Sequence, residues 1–503
     1  MAPIVKWNIS PRTQATLEME YQHDKSNQDF QVLPFDEVNN RFIDLPHNRN
    51  LSERNPTETE TFFAGFNWSH QFNDDWSIKH QVNFKRVDFN QGINLNPFLI
   101  DFNDNTIGRQ LFSSKVVNDT GATILDLTGH FKTWGLEHTL LFGGDYYRFN
   151  SKRNSLISDE LSNISFDNPV HPGTDAAINP LPYLINSNTD NYGLYLQDQI
   201  KLPYNVHVTG GLRYQYIHSR TSINDRFGSP SNTVQTVDAV TPRVGLLWNP
   251  KKWLSLYSNY AENFGANTGA ITSTGFDPSG NPLPGKAAGP TSAQQWEVGA
   301  KTELFDGRLQ ATLAYFDLTK QNVATANPDP ILANAGFSVL AGEVRSRGPE
   351  LDIKGEILPG WNVIATYANQ DVRVTKSNDT GDFGFIEGNR LPFVPRNIGS
   401  IWSTYEVQQG PLDGFKFGGG VKLQDGVVNL NNKINSTGYA LVGLLAGYSF
   451  EVGKSKITAQ LNIDNLLDKT YFTNANAFGG GFNSGSVAFS TPRTFLGSIK
   501  VEY

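Results

Sequence analysis

The last nine residues of the chain alternate between two kinds of side chain. Because successive side chains of a strand point to opposite faces, this pattern predicts a strand with one apolar and one mostly polar face. Such a strand suits a wall between lipid and a wet lumen, and the alternative is the last strand of a soluble sandwich. We predict that it is the C-terminal membrane-insertion strand, with the apolar positions Phe495, Ile499, Val501 and Tyr503 facing lipid.

The same period of two recurs inside the chain, most clearly in residues 206–216. There Val206, Val208, Leu212, Tyr214 and Tyr216 share one predicted face, and His207, Thr209, Arg213 and Gln215 share the other. An arginine facing hydrocarbon costs about 2–4 kcal/mol near the middle of a bilayer. The polar face is therefore predicted to line the lumen.

Very short turns alternate with long polar connections along the whole chain. The short turns include 73–75, 201–205, 249–252, 305–307 and 358–361, each with the Asn, Asp, Gly or Pro that tight reversals require. Long loops are predicted at 25–57, 91–107, 151–189, 219–238, 265–291, 325–338, 375–392, 427–436 and 471–488. Short turns on one side and long loops on the other are typical of an outer-membrane β-barrel.

The pattern predicts about nineteen strands, with 108–132 read as one long strand. They lie near 1–8, 14–24, 58–72, 76–90, 108–132, 137–150, 190–202, 205–218, 239–249, 253–264, 292–304, 308–324, 339–357, 361–374, 393–407, 413–426, 437–450, 455–469 and 489–503. Bacterial single-chain barrels have an even number of strands and close antiparallel. An odd number therefore leads us to expect that N-terminal barrel strands are missing.

Composition narrows the alternatives further. Mean hydropathy is -0.39 and no window approaches the roughly 18 uninterrupted apolar residues of a spanning helix. The absence of cysteine excludes thiolate metal and nucleophile sites. A net charge of -8 gives no reason to expect nucleic acid as a partner. The first seven residues lack the charged start and apolar run of a signal peptide.

Many short segments, in order along the chain, carry a family resemblance. They are residues 2–7, 69–76, 137–146, 192–199, 241–245, 295–301, 342–351 and 462–471. With these segments the chain resembles the barrel of TonB-dependent siderophore receptors, in particular the ferrichrome-type group. The resemblance implies an all-β transmembrane antiparallel barrel of about 22 strands, a plug domain inside it, and an outer-membrane location in a Gram-negative-type bacterium.

The resemblance also implies energised uptake of a ferric siderophore through the TonB–ExbB–ExbD system, and insertion by the outer-membrane barrel assembly machinery. Iron would arrive as a chelate, with no cofactor or metal bound by the protein itself. We expect residues 1–503 to be a barrel domain that lacks its plug, coupling segment and signal peptide. Two open edges in lipid would cost tens of kcal/mol, so we expect a seam or an irregular parallel closure between residues 1–8 and 489–503, and no active transport by this chain alone.

Ligand-facing aromatics in the first long loop are implied by the same resemblance. Phe30 stands at the matching position, whereas Val32 has replaced a second aromatic. Tyr147 and Phe149 at the top of their strand, with Phe478 and Phe482 in the last Gly-rich loop, complete the candidate set. For each of these aromatics the alternative is loop packing or the upper aromatic girdle.

Catalysis finds little support in the sequence, so we predict that the protein is not an enzyme. The nine histidines are scattered without metal-ligand spacing, and Asp74-Asp75 is typical of a turn. Asp198 and Arg213 are predicted to face each other across a short turn and to pair. Rival functions are a passive porin, a barrel enzyme, a TonB-dependent receptor for a vitamin or carbohydrate, and a soluble propeller-like binding protein, which would need a blade-length repeat.

Overall fold

A computed structural model gives the structure of the chain. No helix among the residues it describes is long and apolar enough to cross a membrane. The described residues are 2–27, 33–36, 41–42, 45–46, 49–101, 104–173, 180–224, 230–267, 271–272, 286–326, 338–379, 385–428, 432, 435–477 and 485–502.

Strands account for almost all regular structure. In chain order they are β1 (Ile4–Ser10), β2 (Thr13–Asn27), β3 (Leu33–Asp36), β4 (Arg41–Phe42), β5 (Pro56–Gln71), β6 (Trp76–Asp101), β7 (Thr106–Thr133), β8 (Leu136–Ser165), β9 (Pro180–Leu202), β10 (Val206–Asn224), β11 (Pro230–Lys251), β12 (Leu254–Gly265), β13 (Ile271–Thr272), β14 (Lys286–Ala287), β15 (Thr291–Leu304), β16 (Leu309–Ala326), β17 (Ser338–Leu358), β18 (Trp361–Asn369), β19 (Asp371–Lys376), β20 (Asn397–Glu406), β21 (Phe415–Gln424), β22 (Tyr439–Val452), β23 (Ser455–Asp464), β24 (Phe472–Ala477), β25 (Gly485–Phe489) and β26 (Thr494–Glu502). One short 3-10 turn, Pro203–Asn205, joins β9 to β10.

Twenty of these strands form one sheet in which each strand pairs antiparallel with its neighbours along the chain. β18 and β19 both pair with β17 and continue one line that is interrupted only at Gln370. The wall therefore has nineteen strand positions, as the sequence predicts. The predicted single strand at 108–132 is likewise confirmed, because β7 runs unbroken from Thr106 to Thr133.

Both edges of the sheet are unpaired in the described part of the chain. β1 pairs only with β2, and β26 pairs only with β23. Of the two predicted closures, the structure thus shows the seam rather than a parallel ladder. Every residue of β1 and β26 is exposed, as expected for strands that have a neighbour on one side only.

The two faces of the sheet differ in exposure and chemistry. On one face, Leu194, Leu196, Leu212 and Val244 each leave about half of their surface accessible, at 51%, 49%, 57% and 55%. The intervening residues, such as Arg213 and Asp145, are partly buried and paired with one another. The apolar rows therefore point outward instead of filling a dry centre, which confirms the predicted orientation. Phe495, Ile499 and Val501 of β26 are exposed in the same way, and Tyr503 lies outside the described residues.

Several strands are longer than predicted. Most of the stretches assigned to loops at 91–107, 151–189 and 219–238 belong to β6–β11, and only their central parts connect strands. The prediction of long loops there was wrong because the segments carry little period-two hydrophobicity. Their backbone groups nevertheless pair in ladders from β6 to β8 that extend, across a few register shifts, up to Asp101↔Thr106 and Thr106↔Ser165.

A small conventional core supports these extensions beyond the membrane-spanning part of the wall. Residues 45–46 and 49–57 lie at the far ends of β6, β7 and β8. There Glu53 pairs with Arg109, Asn55 accepts a hydrogen bond from Gln91, and apolar side chains are almost fully buried. This core, here called the outer core, contains Leu45, Leu51, Leu95, Ile107, Leu111, Ile164 and Phe166, all at most 6% exposed. The apolar side chains therefore point outward in the wall, where lipid surrounds the sheet, and inward above it, where water does.

The loops that follow β2 and precede β26 meet in a second sheet of four strands. β25 pairs antiparallel with β3, with Gly485 opposite Phe35 and Val487 opposite Leu33, while β24 and β4 flank them. Residues far apart in the chain thus come together on the long-loop side, close to the edge where the wall is open.

Candidate functional site: the lumen wall and its loop-side mouth

Four polar side chains of adjacent strands form a network on the inward face, here called the lumen cluster: Asp126, Asp145, Tyr195 and Arg213. Arg213 donates two hydrogen bonds to Asp145, from Nη1 to Oδ2 at 2.6 Å and from Nη2 to Oδ1 at 2.9 Å. Tyr195 donates its hydroxyl to Asp126 Oδ1 at 2.5 Å, and the Arg213 guanidinium lies 5.5 Å from the centre of the Tyr195 ring. A bidentate pair of this kind fixes both side chains in one orientation.

Two glycines leave the space that these long side chains fill. A Cβ at Gly193 would clash with the Arg213 guanidinium, and a Cβ at Gly143 would lie 2.5 Å from the Tyr195 ring. Both glycines stand in register with the cluster, Gly143 opposite Tyr195 and Gly193 opposite Gln215. Because these positions are glycines, the long side chains of Arg213 and Tyr195 can lie along the wall.

A second network of the same construction lies further round the wall. Tyr257 donates its hydroxyl to Glu297 Oε1 at 2.5 Å and is covered by Lys301, whose Nζ lies 5.0 Å from the ring centre. Its ring fills the space above Gly299, where a Cβ would come within 2.6 Å of it. Nearby, a cavity of about 460 Å³ is lined by Glu350, Asp352, Thr366, Ser400 and Lys422, together with apolar residues such as Leu351 and Ile398. The lumen wall thus carries charged side chains and tyrosines in both networks.

The predicted Asp198–Arg213 pair was wrong. Across the β9–β10 turn, Asp198 stands opposite Gly210, whereas Arg213 stands opposite Tyr195, so the two side chains leave opposite faces of the sheet. Asp198 Oδ2 instead contacts His138 Nδ1 at 2.7 Å on the outward face, where the histidine ring stacks on Phe131. Arg213 lies three residues further from the turn than Gly210, the residue that stands opposite Asp198. The sequence pattern does not reveal this offset, because it does not give the register between the two strands.

Tyr147 and Phe149 lie on the inward face of β8, two and four residues beyond Asp145 on the long-loop side. Tyr147 is 38% exposed and Phe149 is half-buried. The adjacent Tyr146 points the other way, and its hydroxyl donates to Asp190 Oδ1 at 2.6 Å. The structure therefore places these two candidates at the upper end of the lumen cluster.

The other three aromatic candidates, Phe30, Phe478 and Phe482, lie outside the described residues. The strands that follow them in the chain are described. β3 follows Phe30, β25 follows Phe478 and Phe482, and these two strands are paired. The two loops that were singled out separately are therefore joined.

Carboxylates above the membrane-spanning part are held in their charged form by neighbouring cations. Lys376 donates to Glu343 Oε2 at 2.8 Å and, with Thr375, lowers the pKa of that carboxyl below its usual range. Lys25 lies 3.0 Å from Glu58 and similarly lowers the pKa of the Glu58 carboxyl. These groups stay ionised near neutral pH and order the strand ends around the mouth.

Reactive chemistry is not apparent in the described residues. They contain no group of three or more His, Asp or Glu side chains that could hold a metal ion. Only one of the four members of the lumen cluster could be assigned from the sequence. Arg213 was assigned to the lumen by its alternation, but Asp126, Asp145 and Tyr195 became recognisable as its partners only through the register of β7–β10. The one usable signal was glycine at Gly143 and Gly193 in otherwise regular strands, which marks close approach of a large neighbour.

A family comparison agrees with this architecture. The sequence profile "TonB dependent receptor-like, beta-barrel" matches residues 6–466. The chain belongs to this family. Proteins of the TonB-dependent receptor family are β-barrels of the Gram-negative outer membrane, and this chain is accordingly an outer-membrane barrel protein. The predicted fold class and location are confirmed.

Individual relatives are similar over nearly the whole chain. The metal-pseudopaline receptor of Pseudomonas aeruginosa is 28% identical over 521 residues, which cover 100% of this chain and 68% of that protein. The ferrioxamine B receptor of Salmonella typhimurium is 26% identical, covering 99% of this chain and 67% of that protein. Among solved structures, the siderophore receptor PiuA from Acinetobacter baumannii has a TM-score of 0.83 at 22% identity, covering 100% of this chain and 74% of that one.

Proposed function

We propose that residues 1–503 form the barrel domain of an outer-membrane receptor that takes up a ferric siderophore with energy delivered through TonB. The observation that carries the proposal is a wall of nineteen strand positions with apolar residues outward and a charged, tyrosine-rich lumen. Relatives named for ferrioxamine B, ferric pyoverdine and ferrichrome support a ferric siderophore as the ligand class. The protein then acts as a receptor and not as an enzyme, with iron carried inside the ligand.

Within this proposal Tyr147 and Phe149 contact the ligand as it enters from the loop side. Both stand above the lumen cluster on the inward face, where an aromatic ring offers contact area at low entropic cost. Phe30, Phe478 and Phe482 are proposed as further contacts from the two loops that β3 and β25 join. The apolar face of β26, with Phe495, Ile499 and Val501, is proposed to be read by the barrel assembly machinery during insertion into the bilayer.

Quenching of intrinsic fluorescence by ferric chelates tests the binding step. Purified protein is titrated with ferrioxamine B, ferrichrome and their iron-free forms, and the titration is repeated with Tyr147→Ala and Phe149→Ala. We expect a saturable preference for a ferric chelate and a Kd at least about tenfold higher in either variant, because truncating an aromatic hot spot costs about 2 kcal/mol or more and each 1.4 kcal/mol is a factor of about ten.

Tyr146→Ala is the matched control, since this neighbouring tyrosine points to the outward face. It should leave the Kd unchanged. Equal loss in Tyr146→Ala and Tyr147→Ala would refute the assignment of the inward pair. Saturable binding of a vitamin or an oligosaccharide, with none of a ferric chelate, would replace the ligand class, and unsaturable conductance in planar bilayers would instead indicate a passive channel.

A further inference from the structure

Three short turns carry an aromatic side chain at a position where tight turns normally carry Asn or Gly. Short turns face the periplasm in barrels of this kind. Trp134, Tyr204 and Phe305 all adopt left-handed backbone conformations, with φ of 51°, 62° and 55°. A bulky side chain is strained in this region, which is why Asn and Gly are preferred. Backbone strain of this kind clusters at functional sites, and the rings of Trp134 and Tyr204 are almost fully exposed, at 97% and 90%.

These turns lie beside one another on the rim of the barrel. The hairpins β7–β8, β9–β10, β11–β12 and β15–β16 are consecutive in the wall, because β8 pairs with β9, β10 with β11 and β12 with β15. The β11–β12 turn contributes Trp253, which is half exposed. Tips of neighbouring hairpins are two strands apart, a distance of about 10 Å. The four aromatics, here called the rim row, are Trp134, Tyr204, Trp253 and Phe305.

The rim row is separate from the aromatics that face lipid. Phe131 of β7 and Trp248 of β11 lie on the outward face of the same strands. Trp134 comes three residues after Phe131, and Trp253 comes five residues after Trp248, past the ends of both strands. The rim row therefore lies on the periplasmic side of the lipid boundary.

The row also occupies only one arc of the rim. Other short turns, at 73–75, 409–411 and 453–454, carry no aromatic residue. On the hairpin next to Phe305, Trp361 donates to Ser403 Oγ at 2.8 Å and is held against the wall. A membrane girdle surrounds the whole barrel. An arc of rings is better explained by an extended ligand that passes along one side.

Polar groups accompany the rings. A cavity of about 570 Å³ lies between the β11–β12 and β15–β16 turns, and its lining includes Lys252, Trp253, Glu303, Phe305 and Asp306. Two of the four rings thus stand beside hydrogen-bond donors and acceptors. A sugar needs this combination, because it offers apolar C–H faces to a ring and hydroxyl groups around its edge.

Charges at the rim are nearly balanced. Glu137 lies 3.1 Å from Lys201 and 3.3 Å from Lys132. In and beside the four turns, five basic side chains stand among four acidic ones: Lys132, Lys201, Lys251, Lys252 and Arg308 with Glu137, Glu303, Asp306 and Glu356. An anionic lipid surface attracts segments with a surplus of Lys and Arg. The balance at the rim therefore favours a neutral ligand.

We propose that the rim row binds the glycan strand of peptidoglycan, the polysaccharide that lies beneath the outer membrane. In an extended β-1,4-linked glycan every second sugar turns the same face to one side, so equivalent faces recur once per disaccharide. That repeat matches the spacing of the hairpin tips, and each ring of the row can stack on one sugar face. The row lies outside the lumen, so this binding does not depend on the ligand that passes through the barrel.

Cosedimentation of the whole chain in detergent with purified sacculi tests the proposal. The quadruple variant Trp134→Asn, Tyr204→Asn, Trp253→Ala, Phe305→Asn is compared with the unchanged protein and with Trp248→Ala, a matched control that removes a lipid-facing ring. We expect the unchanged protein and Trp248→Ala to bind sacculi, and the quadruple variant to bind at least about tenfold more weakly. Glycan strands freed of their stem peptides should compete with the sacculi.

Asparagine tolerates the left-handed conformation, so the Tm of the double variant Trp134→Asn, Tyr204→Asn should be unchanged or higher while its binding to sacculi is weaker. This double variant keeps the test decisive if the quadruple variant does not fold. Equal sedimentation of the variants and the unchanged protein would overturn the proposal, and so would a failure of peptide-free glycan to compete. Loss of binding to phosphatidylglycerol vesicles, with sacculi binding unchanged, would instead identify the row as a membrane anchor.

Discussion

The membrane-spanning wall and the outer core belong to the same sheet, but their apolar side chains point in opposite directions, outward in the wall and into a buried interior in the outer core. In the wall, Leu212 and Val244 stay 57% and 55% exposed on the outward face, and polar side chains line the inside. In the outer core, Leu95 and Ile107 are fully buried at the far ends of the same sheet. Alternation by itself therefore does not say which face is dry, since the medium around each segment decides it.

Each of the two regions also contains an ion pair between an arginine and a carboxylate, and the two pairs differ in their exposure to water. Arg213 and Asp145 in the lumen cluster are 31% and 19% exposed, so water shares in solvating them. Arg109 in the outer core has no exposed side-chain surface; it pairs with Glu53 at 3.0 Å and donates to Ser162 Oγ at 2.9 Å. An ion pair that water reaches orients its two side chains but adds little to the free energy of unfolding. Breaking a buried pair is strongly destabilising, because it leaves one buried charge without a partner.

The largest expected effect comes from breaking the dry pair. Arg109→Met leaves Glu53 without its main partner and should destabilise the outer core by about 3–5 kcal/mol. Hydrogen exchange of residues 49–57 and 106–111 measures this local loss. Arg109→Met combined with Glu53→Leu should recover much of it, and Arg213→Gln in the lumen should cost about 1 kcal/mol or less. Equal losses at Arg109 and Arg213 would show that burial does not distinguish the two regions.

Reversing the polarity of the wall is expected to rank next. Leu212→Arg places a charge against hydrocarbon and should cost about 2–4 kcal/mol, measured by urea unfolding in lipid vesicles. Thr209→Arg, three residues earlier on the inward face of β10, is the matched control and should cost little because the lumen is wet. If both substitutions are tolerated equally, the outward face of β10 does not contact lipid.

A smaller effect is expected where the wall is closely packed. Gly193→Ala forces the Arg213 guanidinium to move and should destabilise the chain by about 1–3 kcal/mol, while also loosening the Arg213–Asp145 pair. Gly210→Ala adds the same methyl group on the outward face, where nothing lies within 4 Å, and should be close to neutral. Thermal unfolding in detergent compares the two. A neutral Gly193→Ala would mean that Arg213 is free to rearrange.

The smallest expected effect is a pH dependence at the mouth. The lowered pKa of Glu343 means that its contacts stabilise the fold near neutral pH and are lost as the pH falls below the usual range of a glutamate. Since Lys376 is 65% exposed, the contribution should stay below about 1 kcal/mol. Hydrogen exchange of β17 and β19 should rise between neutral pH and about pH 3, and Glu343→Gln should remove most of that difference.

Local alternation was enough to predict most of the wall. The nineteen strand positions, the single long strand β7, the short turns and the lumen-facing side of Arg213 all follow from period-two patterns and turn residues. The resemblance to TonB-dependent receptors, which the profile match bears out, came from short segments spread along the chain. The roles of Tyr147, Phe149, Phe30, Phe478 and Phe482 stay predictions.

Pairing across strands was beyond the reach of the sequence. Asp198 was predicted to pair with Arg213 because the two residues flank one turn. The register between the strands instead places Asp198 beside His138 and Arg213 beside Asp145. The length of β6–β8 was missed for a similar reason, because the polar strand ends are stabilised by contacts with residues 49–57, such as Glu53 with Arg109 and Asn55 with Gln91. The juxtaposition of Arg345, Arg373 and Arg390 likewise arises only from the pairing of β17, β19 and the bridge at Arg390.

The order of side chains along each strand thus determined the fold class, the number of strands and the medium that each face tolerates, since these depend on neighbours two residues away. Only the tertiary structure decided which charges meet, where a glycine makes room for an arginine, and that the predicted junction between β1 and β26 is a seam and not a parallel ladder. Those properties depend on the register between strands, and register is fixed by hydrogen-bond ladders that join residues far apart in the chain.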